Sequence, residues 1–213
     1  MTQPDDQRPQ RLADQLAVSL HVVRTALSRA STVLFGDEAA AEDSMKAAEQ
    51  ALHELREEIE EIEEIALAAP YGASESSDVR VTVAVVHLGG DMERLAKLTQ
   101  QIAEIAWSRW SKPPLPAHLG AAAETMSGGV LALVARAGET MKLEPAAAEA
   151  ATALDRHVGE IAGQQRLLDR LLVSGDPPVD VSDAVDVALL GRCYEGCARH
   201  AVSAACHVAM LAT

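Results

Sequence analysis

The stretch from Val85 to Ala106, VVHLGGDMERLAKLTQQIAEIA, returns in weakened form from Val187 to Val208, VALLGRCYEGCARHAVSAACHV. The two superpose without a gap. Leu88-Gly89 falls on Leu190-Gly191, Glu93 on Glu195, Lys97 on Arg199 and Ala103 on Ala205, at the constant offset of 102 residues that separates Glu93 from Glu195. A second echo sets Asp37 to Glu42 (DEAAAE) against Glu144 to Glu149 (EPAAAE), offset by 107 residues. The repeating unit is therefore about half the chain, and an internal repeat constrains architecture before any local feature does.

Both copies carry apolar residues three and four apart: Leu88, Met92, Leu95, Ile102 and Ala106 in the first, Leu190, Cys197, Ala204 and Val208 in the second. That spacing marks one buried stripe of a helix. Glu93 and Glu195 each follow a stripe position, Met92 and Tyr194, and so sit about 100° round the helix, at the wet edge of the core.

The prolines fall between such periodic segments. The spacing predicts helices over about 10–35, 37–69, 78–110, 117–138, 145–175 and 179–213. Inward positions are Leu12, Leu16, Leu20, Val23, Leu27 and Val33 in the first, and Leu154, Val158, Ile161, Leu167 and Leu171 in the fifth. Gly36 terminates the first helix, Asp37 caps the second and Ser76-Ser77-Asp78 caps the third. In the acidic tract Arg56 to Ile65, Ile59, Ile62 and Ile65 face inward while the glutamates form a solvated face. Gly128-Gly129 costs the fourth helix about 1 kcal/mol per glycine relative to alanine unless a neighbouring backbone packs there. The expected fold is all-α: two tandem antiparallel three-helix bundles, residues 10–112 and 117–213, joined by the proline linker 113–118. With only 2% aromatic residues, such a core is filled by small and aliphatic side chains between closely approaching helices.

The formal net charge of −14 disfavours direct binding of nucleic acid or anionic lipid and argues against tight capture of free phosphate ions. No uncharged apolar run approaches the ~18 residues of a membrane span, and the polar N-terminus has no apolar signal core. Cys193, Cys197 and Cys206 are odd in number and share the last helix, which suits a reducing, cytoplasmic compartment better than a disulfide framework. No phosphate-cradling glycine loop, nucleophile elbow or HExxH segment is present, so no enzyme is expected.

The duplicated stretch resembles the PhoU family of phosphate-uptake regulators, built from two three-helix repeats whose third helices carry a metal-binding Glu-Arg-x-x-Asp segment. Asp91-Met-Glu93-Arg94-Leu-Ala-Lys97 stands in the first place and Tyr194-Glu195-Gly196-Cys-Ala-Arg199 in the second. Asp78-Val79-Arg80 is similar to the family's Asp-Leu-Arg segment, and Ala184 to Arg192 is also family-like, so the resemblance spans about residues 12–212. It implies a cytoplasmic homodimer that represses phosphate-starvation signalling by contacting a phosphate ABC transporter and its sensor histidine kinase. It also implies a site for iron, zinc or magnesium, whose candidate ligands are Asp91, Glu93 and Glu195.

Lys97 and Arg199 replace the family's second carboxylate, and Gly196 stands where it has arginine. A cation in the first shell repels a metal ion and removes an oxygen ligand. The preferred reading of Glu93 with Lys97, and of Glu195 with Arg199, is an i,i+4 ion pair contributing ~0.3–0.5 kcal/mol. Asp91 is then expected to be a solvated carboxylate. Cys193, Cys197, His200 and His207 invite a zinc reading, but Cys193 and His200 are separated by about 10 Å of helix rise. Cys197 and His200 align with the apolar Leu95 and Leu98 of the first copy and are expected to be interior fillers. Two other functions stay open: a metal-carrying bundle that uses the residual carboxylates, and a structural adapter unrelated to phosphate.

Overall fold

A computed structural model describes residues 8–36, 38–67, 76–141, 145–174 and 178–211. It contains six helices: α1 (Arg8–Phe35), α2 (Glu38–Leu67), α3 (Ser76–Arg109), α4 (Ala117–Glu139), α5 (Pro145–Ser174) and α6 (Val181–Leu211). No strand occurs among the described residues. The expected boundaries hold to within a few residues. At the end of α1 the Gly36 amide donates to the Thr32 carbonyl at 2.8 Å, and a Cβ at Gly36 would collide with that same carbonyl. α6 opens two residues later than expected because Asp180 caps it: its carboxylate accepts from the Ser182 amide at 2.8 Å. The expected cap at Asp37 lies outside the described residues. So do the side chains of Ser76, Ser77, Asp78, Arg80, Glu58, Ile65 and the tract from Glu61 to Glu64.

Within each half the three helices pack on one another, α1 with α2 and α3, α4 with α5 and α6. The halves meet through α1 against α4 and α3 against α6, a pattern that exchange of the halves leaves unchanged. One continuous apolar core results. Its largest fully buried side chains include Leu12, Leu16, Leu20, Leu88, Met92 and Tyr194. Every stripe residue of the repeat is buried: Leu88, Met92, Leu95, Ile102 and Ala106 on α3, Leu190, Cys197, Ala204 and Val208 on α6. Each aliphatic side chain of leucine size so buried contributes ~1.5–3 kcal/mol.

Four expected inward positions differ. Val33, near the end of α1, and Val158 and Leu171 on α5 are only partly buried. Leu167 is exposed and its neighbour Leu168 takes the core position, seven residues past Ile161. Seven residues are two helical turns, so Leu168 stays on the Ile161 face and Leu167 is turned off it. The Gly128-Gly129 pair is absorbed because α5 packs closely there. A Cβ at Gly129 would lie 2.8 Å from Ile161 Cδ1, whereas Gly128 faces open space.

Polar side chains tie the halves together. Ser31 on α1 hydrogen-bonds Ser127 on α4 (2.7 Å) and Tyr194 on α6 (3.2 Å), so the buried phenol is satisfied across three helices. At the end of α3 the Arg109 guanidinium, 6% exposed, donates to Asp183 (2.8 Å) and Asp186 (2.7 Å) of α6 and to the Pro113 carbonyl (3.1 Å). Lys112 adds a contact to Asp186 at 3.0 Å. Removing one member of a buried ion network strands the others. Arg109→Ala is therefore expected to cost about 3 kcal/mol in urea unfolding. Arg109→Lys should recover only part of that, because one ammonium cannot reproduce the guanidinium fork.

Candidate functional site

α3 and α6 run antiparallel, since their contacts descend one helix while ascending the other. Arg109 meets Asp183 and Asp186; Gln101 accepts from the Cys193 thiol at 3.3 Å; Asp91 meets His200 and His207. Along this seam the candidate ligands are dispersed.

Asp91 is buried, not solvated, which corrects the expectation for it. Its position three residues past Leu88 and four before Leu95 aims it at α6. There the ring N–H of His200 donates from Nδ1 to Oδ1 at 2.9 Å, and His207 Nδ1 approaches Oδ2 at 3.3 Å. The His87 ring stacks on His207 with centroids 5.1 Å apart and planes 12° from parallel. His200 is thus a polar partner of Asp91 and not an apolar filler, a second correction. Cys197 does behave as filler. It is fully buried, and desolvation pushes its thiol up to about 12 from 9.0.

Glu93 and Glu195 point away from Asp91 into two different clefts. Glu93 lies in a cleft of about 310 Å³ between α2 and α3, with Arg56, Glu60, Lys97 and Gln100. Lys97 pairs with it at 3.5 Å and Arg56 bonds Gln100 at 2.9 Å. Glu195 lies in a cleft of about 480 Å³ between α5 and α6, floored by Leu98 of α3. Arg199 pairs with it, also at 3.5 Å. Both pairs have the expected i,i+4 geometry, and both are too exposed to contribute more than a few tenths of a kcal/mol.

The two clefts are equivalent by repeat but not in charge. The α5–α6 cleft adds Arg166 and Arg192 to Arg199, with His200 at its margin. Its other carboxylate, Asp169, accepts from Gln165 at 3.0 Å. Gln165 is buried over Gly191, where any Cβ would collide with its amide, while a Cβ at the equivalent Gly89 would meet nothing. Gly196 brings α6 onto α3, since a Cβ there would lie 2.7 Å from Leu98 Cδ1.

This arrangement does not fit the metal that the family resemblance implies. Asp91 Oδ1 is taken by His200, Asp91 Oδ2 has the His207 ring 3.3 Å away without a hydrogen bond, and each glutamate faces a cation in its own cleft. Among the described residues no group of three or more His, Cys, Asp or Glu side chains is arranged to hold an ion. The sequence reading missed the Asp91, His87, His200 and His207 cluster. Its signal was the place of Asp91 on the stripe itself and the seven-residue spacing of the two α6 histidines.

Comparison with family models gives no match, and comparison with curated protein sequences gives none either. Among solved structures the chain is similar to the crystal structure of PhoU from Pseudomonas aeruginosa, with a TM-score of 0.62 and 19% identity, over 97% of each chain. The chain has a PhoU-like fold.

Two outcomes follow from the site. Elemental analysis of protein purified without chelator should find less than one iron or zinc per chain; more than one would show that the lysine and arginine substitutions do not exclude the ion. The Cys197 thiol ionises near its ordinary value when unfolded and only near about 12 when folded. The unfolded chain therefore releases that proton first, and the contribution of this thiol to stability, flat below pH ~9, should fall as pH rises toward 12. In Cys197→Ala the alkaline slope of the urea midpoint should be shallower, whatever the cavity does to the midpoint itself.

Proposed function

We propose that this chain is a PhoU-like regulator that works by protein-protein contact and restrains phosphate transport and phosphate-starvation signalling. The observation that carries the reading is the whole-length likeness of fold, 97% of both chains, to a PhoU structure. Its partners, on this reading, are a phosphate ABC transporter and a sensor histidine kinase, engaged from the cytoplasm by a homodimer. The surface is suited to contact. Val181, Val185 and Leu189 stand exposed at four-residue intervals along α6, and Val83 is exposed at the equivalent place on α3. A run of exposed apolar residues on one helix face offers a surface for contact. The described helices include none long and apolar enough to cross a membrane, so contact with a transporter would be made from its surface.

Deleting the gene and assaying alkaline phosphatase in phosphate-rich medium tests the regulatory reading. Derepression, reversed by supplying the intact chain, is the expected result. Unchanged output would leave a structural adapter unrelated to phosphate.

A further inference from the structure

We propose that the α5–α6 cleft is a docking site for an acidic polypeptide segment of a partner protein, one that presents carboxylates about 10 Å apart, the rise of two helical turns. The inference rests on the reading that the chain acts through protein contact, and it adds where one partner is held and by what chemistry.

The chain carries 32 acidic residues against 18 basic ones, yet three arginines from two helices line this one cleft. Both carboxylates there are already engaged, Glu195 by Arg199 and Asp169 by Gln165. Arg166 and Arg192 are exposed and have no ion pair or hydrogen bond among the described residues. Two free guanidinium forks therefore border a cavity of about 480 Å³. The corresponding α2–α3 cleft has no such surplus, because Arg56 and Lys97 there face Glu60 and Glu93.

Guanidinium forks recognise carboxylate and phosphate alike, so spacing decides between them. Arg192 and Arg199 are seven residues apart on α6, about 10 Å along the axis, with Arg166 across the cleft on α5; the Arg199–Glu195 pair, exposed and 3.5 Å long, is weak enough for an incoming carboxylate to share Arg199. A single compact dianion would have to draw these cations together beside Glu195 and Asp169. Singly charged carboxylates spread along a peptide meet them one at a time: residues i and i+3 of an extended segment, or i and i+7 of a helical one, have the required separation.

The test is a fluorescence-anisotropy titration of the full-length protein with labelled acetyl-(Glu-Ala-Ala)4-amide, and with its glutamine counterpart as control. Binding to the glutamate peptide alone, weakening as salt is added, is expected. Arg166→Ala and Arg192→Ala should each weaken it about tenfold. Arg24→Ala, on α1, should not. Both cleft arginines are exposed, so unchanged circular-dichroism melts would confirm folded variants. The proposal is overturned if the glutamate peptide does not bind, if either cleft variant binds as wild type does, or if inorganic phosphate at equal ionic strength displaces the peptide where chloride does not. Because no reporter is involved, failure here leaves the phosphatase assay untouched, and failure there leaves this titration untouched.

Discussion

Arg109 brings a permanent positive charge into a place that water barely reaches, and the arrangement of α3 against α6 depends on how that charge is met. Two aspartates one turn apart on α6 and the Pro113 carbonyl receive its donors. The geometry fixes several things together. It sets the antiparallel register of the seam, it anchors the first residues of α6, and it folds the linker back onto α3. A purely apolar contact between two helices tolerates sliding by a turn, since one aliphatic ridge resembles the next. A fork that must satisfy two carboxylates does not. From that end, the register carries Gln101 to Cys193, Leu98 to Gly196 and Asp91 to His200 and His207.

The seam also explains why two copies of one unit have not remained alike. Along the seam the stripe positions stay apolar in both halves, although Asp91 corresponds to Cys193 and Leu98 to His200. Residues one position round the helix face α2 in one half and α5 in the other, and are free to diverge. Gly89 and Gly191 align in sequence, yet only Gly191 has a side chain folded over it. Divergence also reaches the seam itself: Arg94 and Gly196 occupy equivalent places, and the glycine lets α6 approach Leu98 of α3.

Much of this was legible in the sequence because helical periodicity records burial directly. The nine stripe residues named from spacing on α3 and α6 lie in the core, and six helix spans were recoverable from prolines and glycines. Asp91 was misread for a specific reason. Its spacing from Leu88 and Leu95 marks it as inward, but a carboxylate is expected to be wet, and chemical type was given more weight than position. The histidines that make its burial tolerable lie more than a hundred residues away, and only the antiparallel register reveals them. Leu167 and Leu168 could not be separated by composition, since two adjacent leucines offer the stripe a choice that packing alone decides.

The replacement of a carboxylate by Lys97 and Arg199 has different consequences in the two halves, and the neighbours cause the difference. At α2–α3, Lys97 joins an arginine already hydrogen-bonded to Gln100, beside two glutamates, so added charge is absorbed. At α5–α6, three arginines meet two carboxylates, Glu195 and Asp169, and this leaves one positive charge in excess. The same type of substitution thus balances one cleft and makes the other locally positive. Because the rest of the surface is acidic, the field of that cleft is felt only at short range, within about a Debye length of 8–10 Å. Such a site contributes little to long-range steering and much to choosing which segment settles once two surfaces have met.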